Sequence, residues 1–523
     1  MKSVEVFSCP YVGFENANFH KKGIRSDFFE KKMDAGNNPA YPTIYLFMSE
    51  NMETEVTERT RELETKSIGR LLWTYALPAV VSQLIASVYN IVDRIFLGQC
   101  VGAMAIAGLA ITLPLMNIIH AFGSLVGAGA GARMSIVLGR KDIRWAEKIL
   151  GNSMLLTFFF GLLFVTGGYL FMDRILELFG ASSDTISYAR EYMCIVLPGM
   201  FMTTLTFNLA NLIRSSGYPN KSMFILAGGA VLNMVLDALL IYGMDLGIAG
   251  AAWATTISMT VSAIFAVIHF VQPKSFIRFK HHAWAPKLYI FRNILLIGMS
   301  PFLMNLAASA VVALLNRQLI AYGGDMAVGA YGVVNTYASI VVLLFLGLCQ
   351  GMQPIAGYNY GAGHSQRLKR VYRLTMWVCV GTGVVGALLA VCCPRMIVRM
   401  FTADENLLRI GVTALRYLMV MAPLIGFTIV NSQFFQSIDK PWIAIVTSLS
   451  RQVIFLIPMM HIVPLLFVRW GWPGLHGVWA ACTICDVLGA LLALALLLTQ
   501  LKVFRPGYVV PERRPRKEAG PKS

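Results

Sequence analysis

The chain has 523 residues, 56% of them hydrophobic and only 14% charged, and its mean hydropathy is +0.63. A soluble domain carries about 25% charged residues, so a soluble globular protein is excluded. Apolar segments of about 20 residues without short alternating strands exclude a β-barrel and leave a helical integral membrane protein. The formal net charge of +17 does not indicate nucleic-acid binding, because Lys and Arg gather in alternate loops and at the C-terminus, as the positive-inside rule requires.

Residues 1–66 are polar and irregular and lack the order of a signal peptide; they read as a cytoplasmic tail. Met48 and Met52 are alternative starts, since "MSENMETEVTERTRELETKSIGRLLW" leads directly into the first apolar segment. Twelve apolar spans follow, near 71–97, 105–127, 149–171, 190–213, 222–243, 248–271, 292–320, 327–350, 371–393, 411–432, 441–466 and 475–500. The polar loop "QPKSFIRFKHHAWAPK" divides them six and six. The expected organisation is an N-lobe at 67–271, an inter-lobe loop at 272–288, a C-lobe at 289–500 and a basic cytoplasmic tail at 501–523.

The halves repeat. Pro78 and Pro301 are 223 residues apart, as are Arg94 and Arg317. Gly127 matches Gly351, and "LGIAGAAWATTIS" resembles "PGLHGVWAACTIC". Six spans per half is an even number, so both halves enter the bilayer from the same side. The pseudo-two-fold axis then runs along the membrane normal, with a cavity between two six-helix lobes. The loop after span two carries Arg133, Arg140, Lys141, Arg144 and Lys148, and later even-numbered loops are similarly basic. The loop after span three is acid-rich, with Asp173, Glu177, Asp184 and Glu191. Both termini are therefore expected in the cytoplasm.

Acids within the spans are few: Asp93, Asp237 and Asp486. An ionisable residue inside a bilayer is unfavourable and marks either a functional site or an internal ion pair. In span one, Gln83, Ser87, Asn90 and Arg94 recur at helical spacing, with Asp93 bordering that stripe. In span five, Asn233 and Asp237 are spaced i, i+4, with Gly229 one turn before Asn233 to admit a neighbouring helix. Two acids in such a niche can exchange protons or jointly hold a small hard cation with oxygens from Asn and Thr; Asn208 in span four and Thr255 in span six would complete the ring. Asp93 aligns with Asn316 and Asp237 with Leu456, so the acids belong to one lobe only. That asymmetry favours an ion site over scaffolding. Asp486 and Arg451 read as a structural ion pair between spans eleven and twelve, and His120 as a core histidine. Cys482 and Cys485 form a lone CxxC in an apolar span, read as packing residues. No phosphate-binding loop, metalloprotease motif or nucleophile elbow is present. The residues thus point to no enzyme and no metal centre, and uphill transport would have to draw on an ion gradient.

The stretches "VYNIVDRIFLGQCVGAMAIAGLAITLPL", "GAGAGARMSIVLGRKD", "NLIRSSGYPNKSM", "VLNMVLDALLI", "GIAGAAWATTIS" and "QGMQPIAGYNYGAG" together resemble the multidrug and toxin extrusion (MATE) family, over Ile68 to Leu501. They are most similar to its bacterial DinF-like branch, which includes MepA-type exporters. The resemblance implies two six-helix lobes forming a V and export of drugs, organic cations or other amphipathic molecules. The exchange would be for protons or sodium, by alternating access in the cell (inner) membrane. It also implies a coupling site at Asp93, Asn233, Asp237, Asn208, Tyr192 and Thr255, and a bending proline at Pro78. No cofactor is expected beyond a proton or sodium ion as coupling ion; the expected partners are small-molecule substrates (organic cations, drugs, dyes) and the lipid bilayer, without nucleic acid, and the protein is expected to be a monomer. The NorM-like branch places acids in spans seven and ten, where this chain has none. The alternative is a lipid or lipid-linked oligosaccharide flippase of the same superfamily.

Overall fold

A computed structural model describes residues 62–100, 103–182, 185–273 and 275–511. The side chains of Asn90, Arg94, residues 97–100 and residues 103–106 lie outside the described residues, as do the expected tail at 1–61 and the alternative starts Met48 and Met52. Among the described residues every regular element is helical. The N-terminal half comprises α1 (Ile68–Cys100), α2 (Ala103–Gly139), α3 (Ile143–Leu170), α4 (Ile186–Ser215), α5 (Pro219–Asp237) and α6 (Gly247–Val271). Helix α5 continues as one π-helical turn, Ala238–Gly243.

The second half opens with a 74-residue helical stretch, Leu288–Gly361. At 1.5 Å per residue it would be about 110 Å long, against a hydrocarbon core of about 30 Å. Gly324, with φ 64° and ψ −168°, divides it; that combination is essentially restricted to glycine. The two parts are α7 (288–323) and α8 (325–361). Helix α9 is Ser365–Cys392, and α10 is a pair, Glu405–Met419 and Ala422–Ser437, bent by 45°. Helix α11 starts at Pro441–Leu449, passes through a π turn at Ser450–Phe455 and ends as Leu456–Arg469; α12 is Gly474–Thr499. With the long stretch divided and the bent pair taken as one, these are the twelve expected spans.

Several helices outrun their predicted ends. Helix α2 reaches Gly139 and α4 reaches Ser215, so Arg133 and Arg214 are buried helical residues rather than loop charges. Proline stands at the first turn of both α5 and α11; counted from Pro219 and Pro441, Asp237 falls opposite Met459, three residues from the expected Leu456. Either partner is apolar, so the acid stays confined to one half.

Three hydrophobic cores describe the architecture. One draws only on the first half, from Leu109 to Ala252, and one only on the second, from Val311 to Cys485. The third, from Leu63 to Phe504, takes residues from both halves near the even-numbered loops. Among the described residues the two lobes have separate cores at one end and a shared core at the other.

The joined end is close-packed. Helix α2 lies along the 288–361 stretch, and a methyl group on Gly298 would collide with the Leu125 carbonyl. Arg133 forms an ion pair with Asp439 at 3.2 Å, their side chains 3% and 8% exposed. Arg214 donates to Gln350 at 2.8 Å, and the Gln353 amide donates to the Ala128 carbonyl at 3.1 Å. All three contacts cross from the first half to the second. The short helical segment before α1 is bound here too: Tyr358 donates to Glu64 at 3.1 Å, and Arg367 donates to the carbonyls of Leu63 and Lys66.

The expected inter-lobe loop and C-terminal tail are partly built into the fold. Glu147 of α3, its side chain fully buried, is ion-paired with Lys280 at 2.9 Å and lies 3.0 Å from His282. Asn152 donates to the Ala285 carbonyl and accepts from the Lys287 amide. Beyond α12, Phe504 stacks on Phe434 at 5.5 Å, and Arg140 donates to the Pro511 carbonyl. The first and last described residues therefore lie at the same end.

Candidate functional site

Four helices of the first lobe, α1, α4, α5 and α6, converge on span five's polar pair. Their approach depends on small residues. Gly229 of α5 lies directly against Ser262 of α6, and Gly199 of α4 against Thr256 of α6. The amide one turn along and the carboxyl two turns along are thereby drawn into a close-packed, buried space.

Asp237 and Asn233 are both fully buried. With its amide nitrogen toward the carboxylate, Asn233 donates to Asp237 Oδ2 at 3.1 Å, and its oxygen accepts from the Thr255 hydroxyl at 3.3 Å. The opposite orientation would set two acceptors face to face. Asp237 Oδ1 is buried and has no hydrogen-bond partner among the described residues. Asp237 is also the last α-helical residue before the π turn, and single π turns recur at functional sites.

Asp93 faces Asp237 within electrostatic reach. Tyr192, buried in α4, interacts with Thr255 and lies within reach of both acids. The structure thus brings together Asp93, Asn233, Asp237, Thr255 and Tyr192. It adds Tyr89, likewise within electrostatic reach of both acids. Tyr89 stands four residues before Asp93, on the same side of α1; that spacing was the available signal.

Asn208 does not join the group. Its amide donates to Ser153 at 3.3 Å and Thr157 at 3.0 Å, both on α3. Pro78 lies inside α1 and is buried, well away from the acids along the helix. There the chain meets the other lobe: Ala76 backs onto Gly351 and Val80 onto Gly347 of α8.

The second lobe carries a different arrangement. Arg451 of α11 pairs with Asp486 of α12 at 2.5 Å, as expected, and its backbone packs on Gly489. His120 is exposed rather than in a core, its ring 5.4 Å from Phe207.

A cluster of two acids, one asparagine, one threonine and two tyrosines offers only oxygen and one amide as ligating or proton-exchanging groups. That donor set suits a proton or a small hard cation and no soft metal.

Comparison with known proteins agrees with the two-lobe architecture. The MatE family model matches the chain twice, over residues 78–239 and 290–461. The multidrug export protein MepA of Staphylococcus saprophyticus is 26% identical over 450 residues, covering 85% of this chain and 98% of that protein. MepA of Staphylococcus aureus strain MRSA252 is 26% identical over 441 residues, covering 84% and 96%. Among solved structures, an outward-facing multidrug resistance MATE transporter of the MOP superfamily superposes with a TM-score of 0.79 at 22% identity, covering 86% of this chain and 98% of that one. A MOP superfamily transporter from Pyrococcus furiosus gives 0.78, also at 22%, covering 84% and 97%. The chain is a multi-pass membrane transporter and belongs to the MatE family of multidrug efflux proteins.

Proposed function

We propose that this protein is a secondary-active antiporter that exports organic cations, drugs and similar amphipathic molecules in exchange for protons or sodium. The observation that carries this reading is the buried Asp237 carboxyl, with Oδ1 lacking a hydrogen-bond partner among the described residues beside Asn233, Thr255 and Asp93. A carboxyl so placed gains from a proton or cation in a way that a satisfied structural acid would not. Its confinement to one lobe fits a coupling role. The substrate class is drawn from the relatives, which are multidrug exporters by name. On this reading the protein is a monomeric transporter rather than an enzyme. Both termini lie in the cytoplasm, the joined end is the cytoplasmic one, and the lobes are open outward. Ion and substrate then compete through their different affinities for the outward-open and inward-open states.

The test is counterflow in proteoliposomes. Efflux of a cationic dye should follow an imposed proton or sodium gradient in the wild type. Asp237→Asn and Asp93→Asn should abolish uphill efflux while leaving downhill dye exchange. Wild-type gradient-driven efflux by Asp237→Asn would overturn the coupling role. Movement of a fluorescent lipid with no transport of any cation would favour a flippase instead.

A further inference from the structure

A groove of about 510 Å³ runs between α5 and α6 on the outer side of the first lobe. Its walls include Phe224 and Phe265, 69% and 59% exposed, which in a membrane protein of this fold face lipid. Gly228, Gly229 and Ser262 form part of its lining. Gly228 has open space where a side chain would project, so the trough exists because that side chain is missing.

The end nearest the joined side of the lobes is polar. Lys221, His269 and Gln272 line it, and no acidic residue does. The Lys221 ammonium rests over the Tyr218 ring at 4.7 Å. His269 is only 5% exposed, yet its Nε2 has no hydrogen-bond partner among the described residues. Its ring is held against Tyr218 at 4.9 Å and Phe270 at 5.0 Å. His269 is thus a lining residue whose buried nitrogen is held in place and unsatisfied, a state that needs an explanation.

We propose that this groove binds an anionic phospholipid. One acyl chain lies in the trough between α5 and α6, and the phosphate sits at the polar end, where Lys221 supplies charge and His269 Nε2 and the Gln272 amide supply hydrogen bonds. Basic pockets between membrane helices at the headgroup level recognise anionic lipids in this manner, and the volume is that of a small-molecule site. A free phosphate would leave the apolar trough unexplained, and a zwitterionic lipid would set its own cation near Lys221. The lipid would lie one helical turn from Asn233, because Gly229 is both lining and the contact that lets α5 and α6 close. The inference is independent of the antiport reading.

The test uses the full chain, delipidated in detergent, with native mass spectrometry and thermal unfolding. The probes are phosphatidylglycerol, phosphatidylcholine with matched acyl chains, and inorganic phosphate. Phosphatidylglycerol should be retained about fivefold more tightly than phosphatidylcholine, the preference expected from one basic residue at the headgroup level. Lys221→Gln, a surface change, should abolish that preference. Gly228→Leu, whose Cβ would meet open space, should weaken retention of both lipids. Equal retention of the two lipids by wild type, an undiminished preference in Lys221→Gln, or unchanged retention in Gly228→Leu would overturn the proposal. So would stabilisation by inorganic phosphate matching that of phosphatidylglycerol, which would make the site a free-anion site.

Discussion

Asp439→Asn isolates the charge of the ion pair that joins the two lobes. Asp439 has φ 59°, a left-handed conformation that Asn adopts as readily as Asp, so the turn after α10 is kept. In the present arrangement Arg133 and Asp439 are 3% and 8% exposed, and removing one member of a buried pair costs about 3–5 kcal/mol. On the antiport reading the lobes also part at this end and water then reaches Arg133, so the cost falls only on the arrangement in which they are joined here. The equilibrium between joined and parted lobes should therefore shift by roughly 10²- to 10³-fold or more toward the parted state. Hydrogen–deuterium exchange in nanodiscs reads this directly, with faster exchange expected at the ends of α2 and α8 near Gly139 and Gly361. The double variant Arg133→Gln/Asp439→Asn leaves no uncompensated charge and should recover most of the protection. Unchanged exchange in Asp439→Asn would refute the reasoning. So would faster exchange spread equally over the separated ends of the lobes, which would mark general destabilisation.

Gly298→Ala should lower the thermal midpoint, because the added methyl meets the Leu125 carbonyl and overpacking of this kind costs about 1–3 kcal/mol; a midpoint equal to wild type would show that α2 and α7 can separate freely. Asp486→Leu should destabilise the second lobe by about 3 kcal/mol, at the lower end for a buried pair because Arg451 is 31% exposed. Arg451→Met/Asp486→Leu should regain most of that loss in the same unfolding assay. Glu147→Gln removes the buried anchor of Lys280 and His282 and should weaken attachment of the inter-lobe segment by about 1–3 kcal/mol, seen as faster tryptic cleavage near Arg278 and Lys280.

The membrane spans were legible because hydrocarbon demands about 20 consecutive apolar residues, and little else satisfies it. Their ends were not. Arg133 looks like a loop charge in the sequence, and it remains inside α2 only because a carboxylate 306 residues away meets it. Span ten reads as one segment, but Pro423, at the start of its second helix, accompanies the 45° bend. In the candidate site, Asn233 and Asp237 followed from i, i+4 spacing and Asp93 from its rarity in an apolar helix. Tyr89 obeys the same spacing relative to Asp93, but a tyrosine in a membrane helix carries no signal of its own. Asn208 was a plausible oxygen donor, but spacing along α4 cannot say which neighbouring helix a side chain meets, and it meets α3. The pairing of Arg451 with Asp486 was legible from charge alone, since each leaves the other the nearest means of compensation.

Helix α1, like α4, belongs both to the acid cluster and to the joined end of the lobes. Ala76 and Val80 lie against Gly351 and Gly347 of α8, in the other lobe, with Pro78 between them. Tyr89 and Asp93 lie further along the same helix, beside Asp237. Proline removes one backbone hydrogen bond and weakens the helix at that point; the separation from Pro78 to Asp93 is about 22 Å at helical rise. On the antiport reading, a change in charge at Asp93 and Asp237 alters what α1 must be near at one end. Pro78 is then where the helix can answer without breaking its grip on α8. In the second lobe α7 meets α2 much as α1 meets α8, but the positions of the two acids are Asn316 and Met459, so the same charge change has no counterpart there. On the antiport reading a one-sided ion site and a two-sided clasp would be complementary: the clasp would set two discrete arrangements of the lobes, and the ion site would bias the choice between them through α1.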